Sequence, residues 1–406
     1  MSLNLLSDLS ELLSEAVGFP AHADFQAVGE IKSWPEPHDA LMSRCDAVGE
    51  FFSSTIAFVL SPDLSSEEKK IRDLLLSGRH GGFSLERHLE LSKSIELVPL
   101  SYRTDEPIPG TIAEIQCPGS VWGEYSLILR ALDPKVNSKF LNGICENILE
   151  VNGERKIHHL LDNSSRPLTT LALLQQLRQS CECQFFGLDS ISDTDCKTIR
   201  THSFKGLVGQ NIFGDRLERA ASGEVRFDYP PTQIFDQKIP MALPFHRATR
   251  HRFSDRVRQH FAPTYLIEKG LLFERDETRW TLDEVIKFPR SRRDLVLKYA
   301  GQDTNRNWGS RAVFMMSRFS KEGWQSVRSQ VVNDLENGEP WVVQEDLSRK
   351  ASNAEISLDG GSLYEKTSIF VASGNPLGAA KMYRKINMVH GQPDTILKAY
   401  RLDQIE

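Results

Sequence analysis

The sequence predicts a mixed α/β protein of the α+β kind with a helical N-terminal portion, and three observations carry that expectation. Apolar residues recur at helical spacing through most of the first 95 residues. From Ser94 the pattern changes to two extended runs around a Pro/Gly-rich connection, and beyond them helical segments alternate with short strand-like runs. The chain has 406 residues, 40% of them hydrophobic and 26% charged, which suits two to three domains rather than one core. Lys and Arg total 49 against 55 Asp and Glu, a formal net charge of −6. No overall basic field would hold a nucleic-acid backbone or an anionic membrane, so small molecules are the expected partners; self-association into a homodimer is left open.

Leu3 to Val17 repeats Leu at helical spacing, with Asp8, Glu11 and Glu15 interspersed and no basic stretch before it. It reads as an amphipathic helix rather than a signal peptide. No uncharged apolar run of about 18 residues occurs, so no spanning helix is expected and the setting is read as cytoplasmic. Thr55 to Leu60 reads as an apolar strand, and Ser65 to Leu76 as a charged helix opened by Ser65, Ser66 and two glutamates. The runs SIELVPLSYRTD and GTIAEIQCPG, joined by Glu106 to Gly110, read as a β-hairpin. Residues 136–235 offer a helix at Thr169 to Gln179 and strands in CQFFGLD and KGLVGQNIF, the alternation of an α/β unit, with a boundary near Tyr229-Pro230-Pro231. A long basic helical region follows, then strands in DLVLKYA, PWVVQEDL and SIFVASG and a Gly/Asn-rich turn from Asp303 to Ser310. The expected divisions are 1–135, a helical part plus the hairpin; 136–235, the α/β unit; and 236–406. Six cysteines lack paired CxxC spacing and read as reduced and buried, although the CxC of Cys181 and Cys183 would put both thiols on one face of a strand.

The hairpin carries the first chemical signal. Residues two apart on a strand share a face, so Arg103 projects with Asp105, and Glu114 with Gln116. Two carboxylates, an amide oxygen and a cation suit Mg²⁺ and a transferring phosphoryl group; the alternative is a solvent-facing hairpin with a surface ion pair. A second signal is the apolar strand that delivers Lys298 into a loop holding Gly301, Asn305, Asn307, Gly309 and Ser310, a backbone-plus-ammonium phosphate grip or an ordinary turn. Neither GxxxxGK[ST] nor GxGxxG is present. The third is the apolar strand ending in Gln344, Glu345 and Leu347, which reads as a hinge for an adenine edge and a ribose, or as any strand terminus. His158 with His159 would point apart. The run HRATRHRFSDRVRQH, with His246 and His251, reads as a solvated helix face rather than a nucleic-acid patch, although it could attract phosphates or an anionic substrate; Glu124, just past the hairpin, could meet a substrate amine. No nucleophile elbow or Ser-His-Asp order appears.

These signals occur in an order that resembles the circularly permuted ATP-grasp ligases, the group containing glutathionylspermidine synthase. The segment SYRTDEPIPGTIAEIQCPG looks like their Arg-x-Asp and Glu-x-Asn strand pair. YPPTQIFDQKIPMALP is similar to their Pro-Pro…Asp-x-Lys segment and FAPTYLI to the step before the lid, with VLKYAG and WVVQEDL following. The resemblance covers roughly residues 98 to 350. It implies an ATP-grasp fold and an ATP- and Mg²⁺-dependent ligase that phosphorylates a small-molecule carboxylate and lets an amine displace the phosphate. It also implies roles: Asp105, Glu114 and Gln116 hold Mg²⁺, Arg103 stabilises the acyl-phosphate transition state, Lys298 and Lys238 meet the nucleotide, Gly309 and Ser310 lie in the lid, Gln344 to Leu347 read adenine, and Glu345 takes a ribose hydroxyl. Gln116 stands where the family has Asn, and GQDTNRNWGS lacks the usual Gly-dense loop. A non-catalytic nucleotide-binding relative and a small-molecule kinase are the competing readings.

Overall fold

Seven strands drawn from both ends of the chain form the largest sheet of the computed structural model, which describes residues 9–18, 20–23, 25–76, 84–94, 96–117, 121–152, 156–160, 168–181, 184–186, 198–201, 214–224, 226–227, 232, 234–301, 303, 306, 311–347, 357–358, 361–385 and 395–402. The order is β1 (Gln26–Ala27), β19 (Ile396–Arg401), β18 (Asn375–Arg384), β17 (Tyr364–Ala372), β3 (Ser101–Glu106) and β4 (Glu114–Gln116), with β2 (Lys32–Ser33) also on β19. Helices and mixed sheets make the protein α+β, as the sequence predicts. The hairpin forms as expected but starts at Ser101; Leu97 to Leu100 approach it without strand pairing.

Side chains alternate across β17. Ile369 and Val371 face a core built with α2 (His38–Leu60), including Phe51, Phe52, Tyr102 and Tyr400. Phe370 and Ala372 face the opposite core, covered by α1 (Leu9–Val17), α5 (Trp122–Leu132), α6 (Pro134–Asn152) and α7 (Leu168–Cys181). There Trp122, Tyr125 and Phe140 surround Phe370, with Tyr125 stacked on it at 4.6 Å between centroids. Burying such a ring contributes roughly 1.5–3 kcal/mol.

Thr55 to Leu60 is not a strand: it is the last part of the 23-residue α2. Leu41, Cys45, Val48, Phe52, Thr55 and Val59 are all buried at three- and four-residue spacing, so burial of a helical stripe overrides the local β-branched and aromatic composition. The helix expected at Ser65 forms as α3 (Ser66–Leu76). The Ser65 amide donates to Glu68 Oε2 at 2.8 Å and the Glu68 amide to Ser65 Oγ at 3.2 Å, a capping box. α4 (Leu85–Leu91) follows.

The middle unit is a parallel sheet of β5 (Lys156–Leu160), β6 (Gln184–Phe186), β7 (Thr198–Thr201) and β8 (Arg226–Phe227) in the order β6-β5-β7-β8, with α7 between β5 and β6 and the helix Gly214–Ala221 between β7 and β8. The expected α/β alternation is present. The run KGLVGQNIF, the boundary at Tyr229 to Pro231, Cys183 and Cys196 lie outside the described residues. Cys181 closes α7 rather than lying on a strand. Cys45, Cys117 and Cys145 are buried, as expected.

A second, antiparallel sheet has the order β13 (Val313–Met315), β12 (Leu295–Tyr299), β14 (Trp341–Glu345), β9 (Thr264–Leu266). Its core joins Leu297, Tyr299, Trp341 and Val343 to Trp324 of the helix Lys321–Glu336 and to the hairpin β10 (Leu272–Arg275) and β11 (Thr278–Thr281). β15 (Ser357–Leu358) and β16 (Gly361–Ser362) form a small separate hairpin. The basic run is no long helix but a turn at Arg250–Arg252 and a six-residue helix, Asp255–His260, that Ser254 restarts by capping the Val257 amide. Its arginines pair with acids: Arg247 with Glu67, Arg252 with Glu68, and Arg256 with Glu50.

The two large sheets are stitched together just before β4. The Ile112 amide donates to His260 O at 2.7 Å and the Ala262 amide to Ile112 O at 2.8 Å, so the segment entering β9 runs along the start of the metal-candidate strand.

Candidate functional site

The β3–β4 register sets Arg103 opposite Gln116 and Asp105 opposite Glu114. All four project to one face, because directly opposed residues of paired strands share a side. The solvent-facing alternative does not hold: Arg103 is 2% and Asp105 1% exposed, while Glu114 and Gln116 on the edge strand are half-buried. β17 supplies two residues of this cluster that the sequence did not reveal. Ser368 stands opposite Asp105 in register, and Lys366 lies two positions earlier on the same face.

Asp105 is the hub. Its Oδ1 accepts from Arg103 Nε at 2.9 Å and Ser368 Oγ at 2.8 Å; its Oδ2 accepts from Arg103 Nη2 at 2.9 Å and Lys366 Nζ at 2.7 Å. Gln116 Nε2 stands 3.5 Å from Oδ2, the outer limit of a bond. Burial alone would raise the Asp105 carboxyl, but Arg103 and Lys366 outweigh it and hold the group well below the usual carboxylate range. The carboxylate is therefore ionised and oriented.

The second sheet delivers Lys298 from β12. Its Nζ donates to Gln344 Oε1 at 2.6 Å, and Gln344 Nε2 donates to Ala113 O at 3.0 Å and Thr264 Oγ1 at 2.8 Å. Gln344 thus spends its side chain inside the protein, tying Lys298 and β9 to the residue before β4. Burial pushes the Lys298 ammonium down to about 8, with Glu114 and Asp105 pulling it up and Lys238 and Lys366 pushing it further down. Residues far apart in sequence, from β3, β4, β12, β17 and the turn before Ile239, therefore share one electrostatic neighbourhood.

Glu345 pairs with Arg275 at 3.0 Å, and Arg275 also meets Asp294 at 3.3 Å. The Glu345 amide donates to Pro263 O and the Asp346 amide to Asp294 O, so both are used within the chain. Leu347 packs on Ala113 and Ala262 beside the stitch between the sheets. Gly309 and Ser310 lie outside the described residues.

α5 begins next to the cluster. Val121 precedes it at φ 73°, a left-handed conformation costly for a β-branched residue and characteristic of sites held under strain. Gly123 lets α7 approach closely: a Cβ there would stand 1.9 Å from Thr169 O. Burial raises the Glu124 carboxyl, while its own amide, Thr169 and Arg103 pull it back down. Elsewhere, His158 and His159 lie on β5. Glu67, His246 and Glu268 bring ligand atoms within 4.8 Å of one another. Arg247 and Arg279 already pair with those two carboxylates, and His246 Nδ1 accepts the Ala248 amide, so no metal is assigned there.

The chain matches no known family model and no curated protein. The chemistry of the cluster must therefore be argued from its donors. Asp105 and Glu114, directly opposed, offer carboxylate oxygens, and Gln116 carries an amide oxygen although its Nε2 faces Asp105; oxygen is the donor a hard divalent ion prefers. The set fits Mg²⁺ in type. Two or more donors already hold each Asp105 oxygen, so a cation would have to take the place of one of them. Lys298 and Lys238 add positive charge to the same neighbourhood.

Proposed function

We propose that the protein is an ATP-dependent carboxylate–amine ligase of the permuted ATP-grasp kind, acting on small metabolites in the cytoplasm. The observation that carries this reading is the convergence of Arg103, Asp105, Glu114 and Gln116 from one sheet with Lys298 from another, in the order along the chain that the permuted ligases show. Lys298 and Lys238 bind the phosphates of ATP in the seam between the sheets. The backbone after β14 reads the adenine, and Glu345, anchored by Arg275, faces the ribose. Asp105, Glu114 and Gln116 hold Mg²⁺, which when bound neutralises charge on the triphosphate oxygens. Arg103, fixed by its paired bonds to Asp105, faces the substrate carboxylate and stabilises charge as the phosphoryl group moves to it. Glu124, in the first turn of α5, receives the ammonium of the second substrate. The chain forms no covalent link to substrate; it positions groups and excludes water from the acyl phosphate.

The test supplies ATP, Mg²⁺ and pooled amino acids or polyamines, then measures phosphate release and a product mass equal to condensation with loss of water. Both are expected. Phosphorylated product without condensation would instead mark a small-molecule kinase, and nucleotide binding without turnover a non-catalytic relative. Glu114→Ala should lower turnover by at least about a hundredfold, in line with loss of a group that holds the catalytic ion; unchanged turnover would refute the metal assignment.

A further inference from the structure

We propose that Lys366 is a built-in cation surrogate: its ammonium holds the place of the divalent ion on Asp105 and must leave it for the metal to bind, so that metal alone binds poorly and metal with nucleotide binds well. The inference rests on the ligase reading for the identity of the nucleotide, and on geometry for the rest.

A carboxylate offers about four lone-pair positions. On Asp105, Arg103 and Ser368 take those of Oδ1, and Arg103 and Lys366 those of Oδ2. The Arg103 bonds are paired and come from the same strand, so they are the hardest to break. Ser368 is fully buried and sits opposite Asp105 in the β17 register, with a short side chain that has nowhere to go. Lys366 differs. It is a point charge on a four-carbon stem, bonded at a single atom, and its side chain is 11% exposed against 2% for Asp105 and Arg103. It is the donor that can move.

The charges explain why it is there. With Arg103 already on Asp105, the Lys366 ammonium adds a second positive charge at the position where a divalent ion would neutralise the carboxylates of Asp105 and Glu114. An arriving cation and the ammonium cannot share Oδ2, because like charges at such a distance repel strongly in a buried setting. A triphosphate arriving with the ion gives Lys366 somewhere to go. Lys298 and Lys238 lie in the same field, so the three lysines would form the anion-binding side of the site once Lys366 swings over. Metal and nucleotide would then favour each other's binding reciprocally.

The direct test is Mn²⁺ binding followed by electron paramagnetic resonance, with and without a nonhydrolysable ATP analogue, on the whole chain and on Lys366→Met. The unaltered protein should bind Mn²⁺ weakly alone and at least about tenfold more tightly with the analogue, within the usual range of coupled sites. Lys366→Met should bind Mn²⁺ alone at least about tenfold more tightly than the unaltered protein and lose most of the coupling. Lys366→Arg, which keeps the charge, should retain weak metal-alone binding; Lys366→Gln provides a second neutral variant should Lys366→Met fold poorly. Equal metal-alone affinity in the unaltered protein and both neutral variants, with coupling intact, would overturn the surrogate role while leaving the ligase reading standing. No Mn²⁺ binding with the analogue in any of the proteins would overturn the ligase reading itself.

Discussion

Replacing Asp105 with Asn keeps the shape of the side chain and removes its charge, leaving Arg103 and Lys366 facing each other without an anion. The magnitude follows from the contacts: four donor atoms at 2.7 to 2.9 Å, three of them on the cationic side chains of Arg103 and Lys366, all on a carboxylate that is 1% exposed. Breaking a buried ion pair by removing one partner costs about 3–5 kcal/mol, because the stranded charge keeps its desolvation penalty. The pH dependence has a definite sign. Asp105 is held below its ordinary range, so its contribution is complete above the unfolded value of about 3.9 and is lost as pH falls toward the folded one. The difference between Asp105→Asn and the unaltered protein should therefore be flat from about pH 5 to 7 and shrink in more acid solution. Guanidinium unfolding followed by tryptophan fluorescence at several pH values measures it. Adding Lys366→Met to Asp105→Asn should recover part of the loss, since one stranded cation is removed. A loss below about 0.5 kcal/mol at pH 7, the size of an ordinary surface change, would refute the argument.

Further outcomes follow from other contacts. Burial pushes the Lys298 ammonium down to about 8, so on the proposed function the charge offered to phosphate is present below that value and lost above it; affinity for an ATP analogue measured by calorimetry should fall about tenfold from pH 7 to pH 9. Lys298→Met should flatten that profile. Gly123→Ala drives a methyl group into Thr169 O, a backbone atom that cannot swing aside; unfolding experiments should show a loss of about 1–3 kcal/mol or more. Ser65→Ala removes the cap of α3 and should cost about 1 kcal/mol in the same experiment.

The hairpin was legible because a two-residue period fixes which side chains share a face, and the register needed only a short connection to set it. Thr55 to Leu60 misled because a six-residue apolar run is the same as strand or as buried helix; the stripe from Leu41 to Val59, read over the whole length, carries the helical answer. Lys366 and Ser368 had the right spacing, and SIFVASG read as a strand, but no local pattern says that β17 pairs with β3 across some two-thirds of the chain. The partners of Glu345 and Gln344 were hidden for the same reason: Thr264 reaches Gln344 only through strand pairing in the second sheet, and Arg275 reaches Glu345 from the separate β10–β11 hairpin. The basic run looked like one helix because charges repeat along it, whereas Arg247, Arg252 and Arg256 answer separate acids on α2 and α3, Arg250 answers Glu277, and Ser254 breaks the run in two.

The central claim is that the two sheets grip a metal-bound triphosphate between the β3–β4 face and Lys298. A crystal structure of the protein with a nonhydrolysable ATP analogue and Mg²⁺ tests it most directly. The account predicts metal density among Asp105, Glu114 and Gln116, Lys298 on the phosphates and adenine against the segment after β14. Nucleotide bound elsewhere, or the cluster of Asp105 left closed around Lys366 with the analogue present at saturation, would contradict it.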